Sequence, residues 1–213
     1  MMLWLFSTLA FITALTHLWA EYTARRWLVY IAKPATTSLL FLVALGASAP
    51  ISQFYQVAIS VGLLCSLAGD IFLMLPRDRF IAGLISFLLA HLCYIGAFGT
   101  QVTWPFLSWW GLPVVGFAVG VYLVLAPHLG KMQLPVLIYM TVIVLMAWLA
   151  LTLFVQQRAV WTLWAASGAL LFVISDSALA LNRFRKRFWS AQLVVLGTYY
   201  LAQWLIALSV QLR

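Results

Sequence analysis

Four ionisable side chains lie inside long apolar stretches of the chain: Lys33, Asp70, His91 and Asp176. Charge in hydrocarbon is costly, so such groups face a cavity or a partner and mark pathways for substrates, ions or protons. The two aspartates are half of the four acidic residues present. A carboxyl pair in apolar surroundings can do acid–base work, because an apolar medium favours the neutral acid while a neighbouring cation favours the carboxylate. One group then gives a proton and the other stabilises a cation or activates water. Lys33 can hold an anion or neutralise an aspartate. His17 and His128 lie near the ends of their apolar stretches rather than inside them.

Three of these groups share one level. Lys33 is five residues past Leu28, Asp70 five before Leu75, and Asp176 five before Leu181. At a helical rise of about 1.5 Å per residue, each sits roughly 7–8 Å inside the same boundary. A common polar pocket accounts for that coincidence, with Asp70, Asp176, Lys33 and His91 expected to reach one cavity. The neighbours fit it. Gly62, Ser66 and Asp70 recur every four residues, so one helix face lets a partner approach closely. Gly168, Ser175 and Asp176 fall together further on, His91 and Tyr94 are three apart, and Tyr199, Tyr200 and Gln203 complete the set.

Simpler readings exist for each residue. Lys33 can extend its stem to the interface. His91 can be a hydrogen-bonded packing residue. Tyr and Trp residues populate interfacial belts. Asp–Lys pairing can be structural.

The elements that carry these residues are dictated by composition. The chain has 213 residues, 66% hydrophobic and 8% charged. A soluble domain carries roughly 25% charged residues, so lipid must be the solvent for much of this surface. Spans of about 20 apolar residues cross a bilayer as helices. The pattern predicts an all-α, polytopic transmembrane helical bundle in one membrane domain over residues 1–213. Eight spans are expected near 2–20, 28–46, 55–75, 80–98, 106–125, 134–154, 160–181 and 189–210. Breaks fall at 46–50, at 76–79, between Gln101 and Pro105, and between Asn182 and Arg187. The first stretch has no basic residue before it and no small residues at cleavage spacing, so it is expected to be retained as a helix rather than removed as a leader.

Ten of the twelve basic residues fall on one side of this arrangement: Arg25, Arg26, Lys33, Arg77, Arg79, Lys131, Arg183, Arg185, Lys186 and Arg187. Arg158 and Arg213 fall on the other. The positive-inside rule then puts both termini on the non-cytoplasmic side. The net charge of +8 sits in short loops beside apolar spans, which points to lipid head groups and excludes nucleic acid. Cys65 and Cys93 read as small buried hydrophobes. Segments 70–75 and 176–181 resemble each other, each followed by a basic turn. Phe80 then aligns with Phe188, Gly83 with Ala191 and His91 with Tyr199, which suggests a parallel 4+4 pseudo-repeat.

At these residues the sequence resembles the YhhN family of integral membrane proteins, whose characterised members are lysoplasmalogenases. The resemblance rests on Lys33-Pro34; Ser66 with Gly69-Asp70 and Leu73; Phe80, Gly83, His91 and Tyr94; Ser175-Asp176 with Leu179; and Thr198-Tyr199-Tyr200 with Gln203 to Ile206. It covers nearly the whole chain. It implies hydrolysis of the vinyl ether bond of a lysoplasmalogen to a fatty aldehyde and glycerophosphoethanolamine or glycerophosphocholine, in a bacterial inner membrane, with no cofactor or metal. Asp70, Asp176 and His91 become the catalytic candidates. Lys33, Ser66, Tyr94, Ser175, Tyr199, Tyr200 and Gln203 become the lysophospholipid-binding ones. Two other classes stay open. A metal-dependent intramembrane lipid hydrolase would use the histidines with Asp70 or Asp176, but their spacing gives no ligand signature. A proton-coupled transporter or lipid carrier would also use buried acids and a repeat.

Overall fold

The computed structural model describes residues 2–103 and 108–211. Pro105 and Arg213, named above as a break and a basic residue, lie outside the described residues. The described chain is all-α, with helices α1 (Met2–Tyr22), α2 (Arg26–Leu45), α3 (Gln53–Met74), α4 (Phe80–Gly99), α5 (Leu112–Leu129), α6 (Gln133–Gln157), α7 (Val160–Ala180) and α8 (Ala191–Leu208). No strand forms among the described residues, where a single bridge joins Pro50 and Gln211. Large apolar side chains cover the outside. Phe11, Leu123 and Leu134 are each about two-thirds exposed, as expected where the solvent is lipid.

Seven helical segments are long and apolar enough to cross a membrane. One of them, Trp109–Gln157, is 49 residues long and contains both α5 and α6. Straight, at about 1.5 Å per residue, it would measure roughly 73 Å against a hydrocarbon core of about 30 Å. It does not run straight. Gly130 takes a φ of +51°, a left-handed conformation that costs glycine little. The helices fold back there, with Leu125 and Leu129 packed on Val136.

Other ends have local causes. The Ser52 side chain caps α3 by accepting the Tyr55 N–H. Pro34 lies inside α2 and leaves the Tyr30 carbonyl without its helical donor, a feature membrane helices tolerate.

The tightest pairs are the hairpins α1–α2, α3–α4 and α7–α8, and α2 and α4 reach across to α8 and α6. Small residues set the approach. A side chain at Gly62 would collide with the Tyr94 ring at 2.3 Å. One at Gly168 would meet the Ala202 carbonyl oxygen at 2.8 Å. At the basic end, Arg183 ties the turn after α7 to the turn after α3 by donating to Asp78 at 2.7 Å. That guanidinium, with the Phe80 N–H, holds the exposed Asp78 carboxyl below its ordinary range.

Candidate functional site

Asp70 sits on the inner face of α3 and is 1% exposed. Its Oδ2 accepts the Thr37 hydroxyl at 2.6 Å and the Tyr199 hydroxyl at 2.7 Å. Its Oδ1 faces the Lys33 ammonium at 3.5 Å. Lys33 and Thr37 are one turn apart on α2, so both reach the same carboxyl. The network continues outward. Gln203 donates to the Tyr199 oxygen at 3.4 Å, and Tyr94 donates to the Gln203 Oε1 at 2.8 Å. Helices α2, α3, α4 and α8 thus converge on one buried polar cluster. A cation and two hydroxyl donors are what a buried carboxylate needs in place of water.

Asp176, on α7, has a different setting. Its Oδ2 accepts a short hydrogen bond from the Tyr139 hydroxyl of α6. It lines a cavity of about 60 Å³ with Leu73, Phe80, Phe87 and Phe184. The Ser175 hydroxyl turns to the Val195 carbonyl at 2.9 Å and stitches α7 to α8. His91 is completely buried on α4, and neither ring nitrogen has a hydrogen-bond partner among the described residues. Its ring stands edge-on to Phe172 at 4.6 Å and to Tyr139 at 5.3 Å. Phe172 in turn meets Tyr199 at 5.5 Å.

The carboxylates therefore differ from the expectation of one shared cavity. Asp70 is not among the residues lining the cavity at Asp176. The physical reason is a wall of rings. From Asp176 the contacts pass through Tyr139, His91, Phe172 and Tyr199 to Asp70. Equal depth placed the residues at one level, but depth carries no information about direction around a helix bundle. Lys33, Asp70, Tyr94, Tyr199 and Gln203 do come together, and Ser66 is buried on the Asp70 face of α3. Tyr200 points the other way and shares a 2.7 Å hydrogen bond with Nδ1 of His17. The second ring nitrogen of His17 lies 3.4 Å from Glu21. His128 sits apart, in the last turn of α5. Among the described residues no three potential metal ligands cluster.

Three participants escape a reading of motifs: Thr37, Tyr139 and Glu21, the partner of His17. Thr37 was findable as one helical turn from Lys33. Tyr139 was findable too. The sequence separation that relates Asp70 to Asp176 also relates Lys33 to Tyr139. Each is the α2 or α6 residue that meets its aspartate.

The model of the YhhN family matches residues 28–210, which include every residue of both aspartate clusters and leave out His17 and Glu21. The chain belongs to the YhhN family. Across the family it is 34% identical to human Lysoplasmalogenase TMEM86A over 90% of this chain and 82% of that protein. It is 37% identical to pig Lysoplasmalogenase TMEM86B over 91% and 80% of the two chains. It is 30% identical to the Uncharacterized membrane protein YhhN of Escherichia coli O157:H7, over 99% and 100%. No solved structure matches the chain. Among YhhN family proteins, then, similarity extends over most of the length both to relatives named as lysoplasmalogenases and to one whose name assigns no activity.

Proposed function

We propose that this protein is an intramembrane lysoplasmalogenase that cleaves the vinyl ether bond of a lysoplasmalogen, releasing a fatty aldehyde and glycerophosphoethanolamine or glycerophosphocholine. The observation that carries the reading is the pair of intramembrane aspartates in unlike settings, one against a lysine and two hydroxyls, one against a single tyrosine in an apolar cavity. Vinyl ether hydrolysis needs two such groups. A carboxylic acid gives its proton to the β-carbon, and the electrons of the double bond form the new C–H bond. The α-carbon becomes an oxocarbenium ion. A carboxylate stabilises that cation and takes a proton from the water that adds to it. The resulting hemiacetal collapses to aldehyde and glycerol hydroxyl. Asp70, with its cation and donors, is equipped for the carboxylate role, and Asp176 for holding and giving a proton; for both to act on one double bond, the substrate must part the rings of His91 and Phe172 that stand between them. His91 lies in ring contact between the two clusters, and its two nitrogens, unpartnered among the described residues, can serve water or the ether oxygen. In this reading Lys33, which faces Asp70, also meets the phosphate of the substrate.

The test is mass spectrometry of purified protein incubated with an alkenyl lysophospholipid and its saturated ether analogue. Aldehyde should form from the first and nothing from the second, since the saturated ether has no double bond to protonate. Equal cleavage of both rejects the mechanism. Turnover in detergent, where no gradient exists, also separates an enzyme from a proton-coupled carrier.

We further infer eight crossings with both termini outside the cytoplasm, α5 and α6 forming one hairpin. The ten-to-two basic asymmetry supports the orientation. Reporter fusions should place the C-terminus outside, and a cytoplasmic C-terminus overturns the count. A parallel repeat of four helices is supported by paired details. Gly62 packs against Tyr94, and Gly168 against Ala202, the residue three past Tyr199 as Tyr94 is three past His91.

A further inference from the structure

A groove of about 510 Å³ runs between α1, α2 and α8, outside both aspartate clusters. Its walls include Trp4, Phe11, Leu15 and Leu201, all exposed, so it opens sideways into lipid. Its floor is polar at Thr36 and Tyr200. Both floor residues have sequence neighbours, Thr37 and Tyr199, that bond Asp70. The groove and the Asp70 cluster therefore share one wall. Tyr200 is bonded to His17, which is completely buried and reaches toward Glu21 at the basic end of α1. At the opposite end Trp204 donates to Ser7 at 3.1 Å and joins α8 to α1. From Trp4 to Leu18 the α1 wall is roughly 21 Å long at about 1.5 Å per residue.

We propose that this groove binds the single hydrocarbon chain of a lysophospholipid. The chain enters from the bilayer, and its polar end comes to rest against Tyr200, Lys33 and the arginines Arg25 and Arg26. Three features select that occupant over bulk lipid. The lining is mostly apolar, with Ser7, Thr8, Thr36 and Tyr200 as its polar members, which suits a single hydrocarbon chain. The volume lies in the range of specific ligand sites. Arg25 stacks over the ring of Trp19, the neighbour of Leu18 in the lining, and so offers a cation to a phosphate at that end. The proposal takes its substrate class from the hydrolase reading above.

Gly197 provides the test. It lines the groove, and a Cβ added there meets nothing within 4 Å, so Gly197→Phe can start its side chain without a clash and put its ring into the groove. Gly116 on α5 is equally open and lies elsewhere, so Gly116→Phe is the control. The protein, in phosphatidylcholine nanodiscs, is exposed to a saturated-ether lysophosphatidylcholine carrying a photoreactive group in its tail. Labelled residues are mapped by mass spectrometry. Labels should concentrate on Phe11, Leu15 and Leu201, and Gly197→Phe should cut labelling there by about tenfold or more, the effect of losing roughly 1.4 kcal/mol of binding. Gly116→Phe should leave it unchanged. Even labelling of lipid-facing residues such as Leu123, equal labelling of the groove by a two-chain phospholipid probe, or full labelling of Gly197→Phe each overturns the proposal. Groove labelling by a protein that releases no aldehyde from the alkenyl lysophospholipid would sink the hydrolase reading and uphold the groove. Wild-type hydrolysis by Gly197→Phe would do the reverse.

Discussion

Asp70→Asn is expected to lower vinyl ether hydrolysis by about 10²–10⁴-fold, the usual scale of acid–base assistance. Asparagine keeps the shape and can still accept from Thr37 and Tyr199, but it carries no charge to oppose an oxocarbenium ion or to take a proton from water. The substitution has a second effect that must be separated from the first. Lys33 is only 12% exposed and faces Asp70 at 3.5 Å. Removing one partner of a buried pair leaves the other charge stranded, at a cost of about 3–5 kcal/mol. The double variant Asp70→Asn with Lys33→Met removes both charges together. It should recover thermal stability in detergent and remain inactive. Recovery of activity along with stability would take Asp70 out of the chemistry and leave it a structural partner of Lys33.

Asp176→Asn is expected to produce a loss of similar size with a smaller structural penalty. Only the Tyr139 hydroxyl bonds this carboxyl among the described residues, and no cation is left stranded. The amide oxygen of asparagine still accepts that bond, but the amide cannot give a proton to carbon. Tyr139→Phe makes the informative comparison. It deletes the one hydrogen bond and keeps the acid, so turnover should survive in part, with the pH profile displaced. Single-turnover measurements of aldehyde release across pH would show both. Wild-type rates in Asp176→Asn would leave Asp70 as the sole working carboxylate. Equal losses in Asp176→Asn and Tyr139→Phe would show that the hydrogen bond, not the proton, is what the site needs.

The sequence by itself determined a helical membrane protein and most of the residues that meet at Asp70. Composition forced lipid as the solvent, and a bilayer admits helices because every backbone polar group must be satisfied within the segment. Helix bounds followed from Gly, Pro and basic turns to within a few residues, except around α5, where the described helix begins at Leu112 rather than near 106. Equal depth brought Lys33, Asp70 and Asp176 to one level, because rise per residue is fixed whatever the packing.

Tertiary structure decided what depth could not. The rotation of each helix about its axis is set by contacts such as Tyr94 in the notch at Gly62 and Ala202 against Gly168. Those contacts turned Asp70 toward Lys33 and Asp176 toward Tyr139, with Phe172 and His91 between them. They also aimed Tyr199 inward and Tyr200 toward His17, a division that two adjacent tyrosines in a sequence do not announce. In lipid an apolar side chain packs about as well against the bilayer as against another helix. Hydrophobic patterning therefore leaves the facing of each helix open, and only close fit and polar pairing fix it.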